Sequence, residues 1–426
     1  MGEAGRISAR EAAYRSLIRC ENDKSYTNLE IDAKIKKFGL EGAERSLFTI
    51  LVYGVTERRI TLDFRLSPCV TGGVGRLSPE VLTVLRLGAY QTLYLDRVPD
   101  SAAVNESVEL ARRHCPAGSY KLVNAVLREL CRKKNDPPPL PGDPVAAAEV
   151  EYGVPRGLIG LWISSYGEDK TKEILEALSV RPPVTVRANT LKTTPEELAE
   201  RLGGAAGPVP GSLILKSGTA PEELRLAIGE GLCYVQDASS QEAVALLGPR
   251  PGMTLVDTCC CPGGKSFAAA LMMENSGVIR AFDLHQNKLS LVTGTAARLG
   301  VDIIAADARD ARQPDPALAG RADRVICDVP CSGLGVIAKK PEIRYKDLSD
   351  IKNLPDLQYD ILCASASYLK PGGRLLYSTC TLNKAENEEV AARFLDGSPD
   401  FSLVEQRTFF PSAANDGFFA CVMEKK

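Results

Sequence analysis

The stretch "TLVDTCCCPGGK", residues 254–265, decides the fold of residues 236–426, because it is typical of a β-strand, a glycine turn and the start of a helix. Gly263 and Gly264 allow the backbone to approach a ligand closely and expose amides at a helix N-terminus. The spacing is neither GxGxxG nor GxxxxGK[ST], which disfavours a dinucleotide or a nucleoside triphosphate as the ligand. A tight turn with a purely structural role is the alternative.

Four further apolar, β-rich runs follow, with helix-length connections between most of them: "GVIRAFDL", "VDIIAADA", "DRVICDVP" and "GRLLYSTC". This rhythm predicts an α/β domain with a parallel sheet and helices on both faces. Ligands of such sheets bind at the carboxyl ends of the strands. Five polar or reactive residues fall at or near those ends: Asp257, Asp283, Asp307, Asp328 and Cys380.

Asp283 stands at the predicted end of the second strand, where a carboxylate can accept hydrogen bonds from two ribose hydroxyls. A ribose-binding acid without a phosphate cradle suits S-adenosylmethionine, whose cationic sulfonium needs no phosphate contacts. The sequence therefore predicts S-adenosylmethionine as the cofactor. The Cys259–Cys261 triplet could instead suggest a metal site, but adjacent thiols chelate poorly, so we expect no metal.

Two thiols follow predicted strands, Cys331 in "DVPCSGLG" and Cys380 in "LLYSTCTL". A methyltransferase acting on an exocyclic amine usually has an aromatic residue where Cys331 stands. A thiol there suits attack on a pyrimidine ring, because carbon 5 of cytosine is a poor nucleophile until a thiolate adds to carbon 6. That chemistry needs a nucleophile, an acid near the ring nitrogen such as Asp328, and a base, so two thiols can divide the work.

The front of the chain has a different pattern. Segments such as "SAREAAYRSLIRCEN" place apolar residues at helical spacing, and we predict an all-helical domain over residues 1–134. The prolines of "KKNDPPPLPGDP" then predict a linker over 135–149. "PVTVRANTLKTTPEELAERLG" indicates a strand, a Thr-capped turn and a helix, so residues 150–235 are predicted to form a small α/β domain before the last domain, 236–426.

Composition and charge limit the class of protein. The chain has 426 residues, 44% hydrophobic and 25% charged, which is typical of a globular protein of two or three domains. No apolar stretch approaches the ~20 residues of a membrane span, and the N-terminus lacks a signal peptide's apolar centre, so we expect a soluble cytoplasmic protein. Thirteen cysteines without a secretion signal indicate reduced thiols, and two histidines without paired CxxC motifs disfavour zinc.

The net charge of -2 is unevenly distributed. Residues 1–135 carry 22 Lys and Arg against 16 Asp and Glu, and the rest of the chain carries 30 against 38. A basic helical module beside an acidic one suggests an anionic partner, with nucleic acid the first candidate. An ordinary solvated helical surface explains the charge of residues 1–135 equally well.

Taken together, these motifs resemble the bacterial ribosomal RNA cytosine-5 methyltransferases of the RsmB/Sun (Fmu) family. "CCCPGGK", "DVPCSGLGV" and "YSTCTL" match the family's cofactor, proline-cysteine and threonine-cysteine motifs in order. "RVPDSAAVNESVELAR" and "KLVNAVLREL" resemble later helices of the RNA-binding NusB fold, and "GLCYVQDASSQEAVALL" resembles the lead into the catalytic domain. The resemblance implies a NusB-like domain, a small α/β insert and a Rossmann-like class I methyltransferase domain, acting as a monomer on small-subunit ribosomal RNA.

The resemblance also implies roles for individual residues. Cys380 would be the nucleophile, Cys331 would assist release, and Asp328 would act beside them. Contacts to S-adenosylmethionine would come from Cys259, Cys260, Cys261, Pro262, Gly263, Gly264, Lys265, Asp283, Asp307 and Asp328.

Two positions depart from the family pattern. The family usually has two alanines where Cys260 and Cys261 stand. The larger cysteine side chains add bulk near the cofactor without changing backbone contacts. It usually has a basic residue where Ala338 stands, followed here by Lys339 and Lys340, so a phosphate contact at position 338 is in doubt.

Two other functions compete with ribosomal RNA methylation. DNA cytosine methylation is disfavoured because those enzymes use the proline-cysteine thiol as nucleophile and carry a separate recognition domain. An assembly factor with a decayed catalytic domain is disfavoured by the intact Asp328, Cys331 and Cys380.

Elsewhere, Cys327 and Cys363 lie in apolar runs and are predicted to be small core residues.

Overall fold

The computed structural model describes residues 7–23, 27–180, 183–216, 220–412 and 415–426. The chain forms two compact units. The first comprises residues 1–164 together with 340–346, and the second comprises residues 165–339 and 347–426.

The first unit is helical, as predicted for residues 1–134. Its helices are α1 (Ala9–Asp23), α2 (Thr27–Phe38), α3 (Gly42–Glu57), α4 (Arg59–Leu66), α5 (Pro79–Tyr94), α6 (Asp100–His114), α7 (Ser119–Arg132), α8 (Pro144–Tyr152) and α9 (Arg156–Tyr166). Their apolar faces meet in one core that includes Phe48, Leu51, Leu85, Val123 and Leu127. Residues 135–143 are not helical, and α8 begins at Pro144, within the segment predicted as a linker.

A distant stretch of chain completes the first unit. Residues 340–346 carry a short 3-10 helix, Pro341–Tyr345, in which Arg344 is buried. Its Nη1 donates hydrogen bonds to the carbonyl oxygens of Glu57, at 3.0 Å, and Gly153, at 3.2 Å. Gly153 has φ +65°, and a Cβ there would lie 2.7 Å from the Glu57 oxygen, so glycine is required for this close approach. The helical unit is therefore assembled from two separate parts of the sequence.

The second unit begins with α10 (Glu168–Leu178) and the small α/β region. Strands β1 (Thr185–Ala188), β2 (Gly204–Ala206), β3 (Ser212–Leu215) and β4 (Cys233–Val235) form an antiparallel sheet in the order β2-β3-β1-β4, accompanied by α11 (Pro195–Leu202) and α12 (Pro221–Gly229). Thr194 caps α11 by accepting a hydrogen bond from the Glu197 amide. The predicted strand, Thr-capped turn and helix are confirmed.

A seven-stranded sheet with the order β10-β11-β9-β8-β5-β6-β7 forms the rest of this unit. Its strands are β5 (Thr254–Asp257), β6 (Val278–Asp283), β7 (Ile304–Ala308), β8 (Ala322–Asp328), β9 (Leu369–Thr379), β10 (Phe401–Phe409) and β11 (Phe418–Lys425). The five predicted strands pair in parallel. The last two strands add an antiparallel hairpin beside β9, which the strand-and-helix rhythm did not predict because no helix separates them.

Helices cover both faces of this sheet. One face packs against α13 (Ala238–Leu247), α14 (Gly264–Met272) and α15 (Leu289–Leu299), and the other against α16 (Leu354–Ala366) and α17 (Glu388–Gly397). Leu255, Ile279 and Ile326 lie on the α14 face. Because side chains alternate along a strand, the residues two positions further on share this face. They are Asp257 and Asp328, which end β5 and β8, and Ala281, which precedes the end of β6 at Asp283 by two positions.

Two smaller predictions have opposite outcomes. Cys327 is fully buried, as expected of a small core residue, whereas Cys363 is exposed and the prediction for it was wrong. Cys363 lies on the solvent side of α16, where an apolar neighbourhood in sequence does not imply burial.

Within the described ranges, no helix has the length and apolarity needed to span a membrane.

Candidate active site

The loop between β5 and α14 forms the floor of the site. Gly263 adopts φ +112°, and a Cβ at this position would collide with the ring of Phe267. Asp257, at the end of β5, accepts a hydrogen bond of 2.6 Å from Ser266 Oγ, which ties the strand end to the first turn of the helix. Burial raises the pKa of Asp257 from 3.8 to about 7. The loop is thus held by glycine conformation and by a buried carboxyl group.

Asp283 ends β6 beside this loop and is half-buried. Its Oδ2 accepts a hydrogen bond from the Cys261 amide at 3.3 Å, and its Oδ1 accepts one from the His285 amide at 3.0 Å. Two backbone donors therefore orient the carboxylate while it remains partly open to solvent.

The three consecutive cysteines are divided between environments. Cys260 is buried and packs on the α14 face, whereas Cys259 packs against the opposite core. Burial raises the pKa of Cys261 to about 11, and it raises the pKa values of Cys259 and Cys260 as well. All three side chains are therefore protonated thiols at neutral pH, which favours packing rather than nucleophilic roles.

Asp328 lies at the carboxyl end of β8, between two donors. Its Oδ2 is 2.7 Å from Lys265 Nζ, in the first turn of α14, and its Oδ1 accepts a hydrogen bond of 2.7 Å from Ser378 Oγ on β9. Lys265 also lies over the ring of Phe418, at 4.9 Å. The ion pair thereby connects the glycine loop with the strand that leads to Cys331.

Asp307 has different surroundings from the other acids. It pairs in register with Phe282, and so it leaves the sheet on the face opposite to Asp283. Its side chain is 56% exposed and forms a 2.7 Å ion pair with Arg280. The predicted cofactor contact of Asp307 stays a prediction.

The two predicted catalytic thiols meet. Cys331 follows β8, Cys380 follows β9, and their Sγ atoms are 3.3 Å apart as free thiols. The two sulfurs are within hydrogen-bonding distance, and either can be the donor. The hydrogen bond with Cys380, together with burial, raises the pKa of Cys331 well above its usual range. The structure thus brings the two thiols together and favours the protonated form of Cys331.

The loop after Cys331 is fastened at its far end by Lys339. Lys339 Nζ lies 2.8 Å from Asp237 Oδ2 and 2.8 Å from Asp416 Oδ2. The lysine next to the departing position Ala338 is thus paired within the protein. This arrangement does not provide the phosphate contact that was in doubt.

The sequence reasoning missed the polar residues that support both thiols. Glu386 and Asn387 are fully buried and accept or donate hydrogen bonds around the two cysteine loops. The available signal was the polar run "NKAENEEV" at residues 383–390, directly after the second thiol motif. Throughout the described ranges, no group of three His, Cys, Asp or Glu side chains is arranged to hold a metal ion.

Three known families match consecutive parts of the chain. Residues 7–132 match the NusB family, residues 154–213 match the ferredoxin-like domain of RsmF/B-like methyltransferases, and residues 244–422 match the family described as 16S rRNA methyltransferase RsmB/F. The matches follow the order of helical unit, small α/β region and seven-stranded sheet.

Full-length relatives share this organisation. The chain is 34% identical over 450 residues to a probable ribosomal RNA small subunit methyltransferase B of Bacillus subtilis, covering 99% of each protein. A protein of the same name from Synechocystis is 35% identical, with 93% of this chain and 90% of the relative covered. The crystal structure of PH0851 superposes with a TM-score of 0.80 at 28% identity, covering 98% of this chain and 99% of that one. The chain is therefore a methyltransferase that belongs to the RsmB/F family and carries an N-terminal NusB domain.

Proposed function

We propose that this protein methylates carbon 5 of a cytosine in small-subunit ribosomal RNA, using S-adenosylmethionine and a covalent bond from Cys380 to carbon 6 of the base. The observation that carries the proposal is the 3.3 Å approach of the Cys331 and Cys380 sulfurs at the carboxyl edge of the sheet. The names of the full-length relatives support the RNA substrate.

The residues beside the glycine loop fit S-adenosylmethionine. The oriented carboxylate of Asp283 suits the ribose hydroxyls, because a carboxylate accepts hydrogen bonds and donates none. The N-terminus of α14 suits the carboxylate of the methionine part, since its first amides are free to donate. When bound, S-adenosylmethionine supplies an electrophilic methyl group.

Cys380 is proposed as the nucleophile because its neighbour favours the thiolate form. A sulfur that accepts a hydrogen bond from a protonated Cys331 is stabilised when it carries negative charge. Addition would form an S–C bond at carbon 6 as the π bond between carbons 5 and 6 opens. Carbon 5 would then take the methyl group, and the broken bond to the cofactor sulfur would leave its electron pair on S-adenosylhomocysteine. Asp328 is the carboxyl group proposed to interact with the ring nitrogen, held in place by Lys265 and Ser378.

Release reverses the first step. A base removes the proton from carbon 5, the double bond between carbons 5 and 6 re-forms, and the S–C bond breaks with its electron pair returning to Cys380. The thiol of Cys331 can donate its hydrogen bond to the departing sulfur, which stabilises the leaving thiolate. The two thiols therefore perform different tasks on one ring.

The helical unit is proposed to bind the RNA. Its α6 and α7 border a cavity of about 400 Å³ lined by Asp100, Ser101, Val104, Asn105, Arg128, Cys131 and Arg132. Arg128 and Arg132 are exposed on α7, where Arg128 donates a hydrogen bond to Asn124 and Arg132 pairs with Glu129. Their positive charges are proposed to attract phosphates.

Methyl incorporation tests the proposal directly. The purified protein should transfer labelled methyl groups from S-adenosylmethionine to a transcript of small-subunit ribosomal RNA, and nuclease digestion should yield 5-methylcytidine. Transfer to duplex DNA instead would favour the DNA enzyme. Binding of RNA without any transfer would favour an assembly factor.

A further inference from the structure

A buried polar network lies directly behind the two thiols, and two consecutive residues, Glu386 and Asn387, form its centre. Both side chains are fully buried at the start of α17. Neither is needed to fold a helix of this length, because helix formation does not require a buried carboxylate and amide. Their bonding partners indicate another purpose.

Glu386 holds the loop of Cys331. Its Oε2 accepts hydrogen bonds from the Ser332 amide, at 2.8 Å, and from Gln358 Nε2, at 3.0 Å. Its Oε1 accepts hydrogen bonds from Ser332 Oγ, at 2.5 Å, and from Asn383 Nδ2, at 2.9 Å. Gln358 Nε2 also lies 3.0 Å from the carbonyl oxygen of Pro330. The residues on both sides of Cys331 are therefore bound to one carboxylate or to its partner.

Asn387 holds the loop of Cys380 in the same way. Its Oδ1 accepts a hydrogen bond of 2.5 Å from Thr379 Oγ1, and its Nδ2 donates one of 2.9 Å to the carbonyl oxygen of Thr381. Thr379 and Thr381 flank Cys380 and are both fully buried. A single side-chain amide thus binds the Thr379 hydroxyl on one side of the nucleophile and the Thr381 carbonyl on the other.

One chain of hydroxyl groups joins the two halves. The Leu334 amide donates to Thr381 Oγ1 at 3.2 Å, and Thr381 Oγ1 lies 2.6 Å from Ser332 Oγ. Since Ser332 Oγ donates its proton to Glu386, the hydroxyl of Thr381 must donate to Ser332. The direction of every bond in this chain is set by the carboxylate at its end, and such chains strengthen cooperatively.

We propose that Glu386 and Asn387 are positioning residues with separate tasks: Glu386 sets the place of Cys331 for release, and Asn387 sets the place of Cys380 for attack. This inference rests on the proposed function and deepens it. The two side chains differ by one atom at the tip and one methylene, and they are adjacent in sequence. Two nearly isosteric exchanges can therefore test them as a matched pair.

Glu386→Gln replaces one acceptor oxygen with an NH2 group that must face donors. In one orientation of the amide, the new NH2 group faces the Ser332 amide and Gln358 Nε2, which are both donors. In the other orientation it faces Ser332 Oγ and Asn383 Nδ2, which donate to Glu386 in the unmodified protein. Asn387→Asp replaces the donor to the Thr381 carbonyl with an acceptor. Each exchange loosens one cysteine loop and leaves the direct bonds to the other loop intact.

The experiment measures covalent protein–RNA adduct with a transcript of small-subunit ribosomal RNA, S-adenosylmethionine and denaturing electrophoresis. With both thiols present, Glu386→Gln should accumulate adduct and lower turnover by about tenfold, the effect of misplacing one hydrogen-bonding partner. Asn387→Asp should lower turnover to a similar extent without accumulating adduct. The opposite pattern would overturn the assignment.

The same exchanges in a Cys331→Ala background separate positioning from a general loss of structure. There the rate of adduct formation reports attack alone. Asn387→Asp should slow that rate by about tenfold, whereas Glu386→Gln should leave it within about twofold, because the thiol that Glu386 positions is already absent. Equal slowing by both exchanges would show that the network only stabilises the fold.

Two further measurements keep the outcomes distinct. Ser332→Ala removes the hydroxyl link but keeps the amide bond to Glu386, so it should accumulate adduct as Glu386→Gln does, to a smaller extent, and it serves if Glu386→Gln does not fold. If Cys331→Ala alone forms no adduct and the unmodified protein makes no 5-methylcytidine, the proposed function fails. If both are seen but the two exchanges behave alike, only the division between Glu386 and Asn387 fails.

Discussion

The sulfur atoms of Cys331 and Cys380 lie 3.3 Å apart although the two residues are 49 positions apart in the sequence. The adjacent parallel strands β8 and β9 bring them together, since Asp328 and Ser378 pair in register just before the two loops. A cytosine ring offers one carbon 6, so two thiols at this distance cannot both be nucleophiles in the same cycle.

Separate substitutions of the two thiols should therefore have different effects. Cys380→Ala should abolish methyl transfer and adduct formation, because the attacking sulfur is lost. Cys331→Ala should still attack and methylate, and then accumulate a protein–RNA adduct that survives denaturing electrophoresis. An adduct in the Cys380 variant instead would reverse the roles, and methyl transfer by both variants without adduct would exclude covalent catalysis.

Loss of the Asp283 carboxylate should weaken cofactor binding. A hydrogen bond to a charged group contributes about 1.5–3 kcal/mol, so Asp283→Ala should raise the Kd for S-adenosylmethionine roughly ten- to a hundredfold. Calorimetry provides the measurement, and the exposed acid Asp302, replaced by alanine, provides the control. An unchanged Kd for Asp283→Ala would refute its assignment to the ribose.

The buried carboxyl group of Asp257 should make stability depend on pH. Its pKa is raised from 3.8 to about 7, so the folded state binds a proton that the unfolded state releases between these values. The stabilisation is complete below about pH 4 and is lost as pH rises to about 7, by about 1.4 kcal/mol for each unit of pKa difference. Asp257→Asn keeps an acceptor for Ser266 and should remove this slope. Urea denaturation between pH 5 and pH 7.5 will show whether the two proteins differ.

The exposed arginines of α7 should contribute to RNA affinity and not to cofactor affinity. Each lost phosphate contact lowers the slope of log affinity against log salt by about 0.7 to 0.9. The double substitution Arg128→Ala and Arg132→Ala should therefore reduce the slope by about 1.4 to 1.8 if both reach phosphates. Arg225→Ala, on the exposed surface of α12, is the matched control for a lost charge. Equal slopes in all three proteins would place RNA binding elsewhere.

Local patterns were sufficient for most of the fold. The strand ends at Asp257, Asp283 and Asp328 were predicted because apolar runs stop at acids, and the cap of α11 was predicted from Thr194. The hairpin of β10 and β11 was not, because its pairing with β9 depends on contacts that are distant in sequence. The exposure of Cys363 was missed for a related reason, since the side of a helix that faces solvent is set by its packing partner.

The site shows the same division. The motifs located the glycine loop and both thiols, because each follows a strand. They did not predict that Lys265 pairs with Asp328, that the Cys331 and Cys380 sulfurs lie 3.3 Å apart, or that Glu386 lies behind Ser332. These relationships join residues from different strands and helices, and only the three-dimensional arrangement of the sheet defines them.

The participation of residues 340–346 in the helical unit has a consequence for the order in which a newly made chain can fold. Domains generally fold as they emerge from the ribosome, with the N-terminal domain first. Here the carbonyl groups of Glu57 and Gly153 accept hydrogen bonds from the guanidinium of Arg344. These bonds cannot form until Arg344 has been synthesised, nearly two hundred residues after Gly153. The first unit to be translated is therefore completed only after the small α/β region and four strands of the large sheet have left the ribosome. Truncation of the chain before residue 340 therefore leaves the helical unit without its last piece, and removal of residues 1–164 leaves residues 340–346 without the unit that they complete.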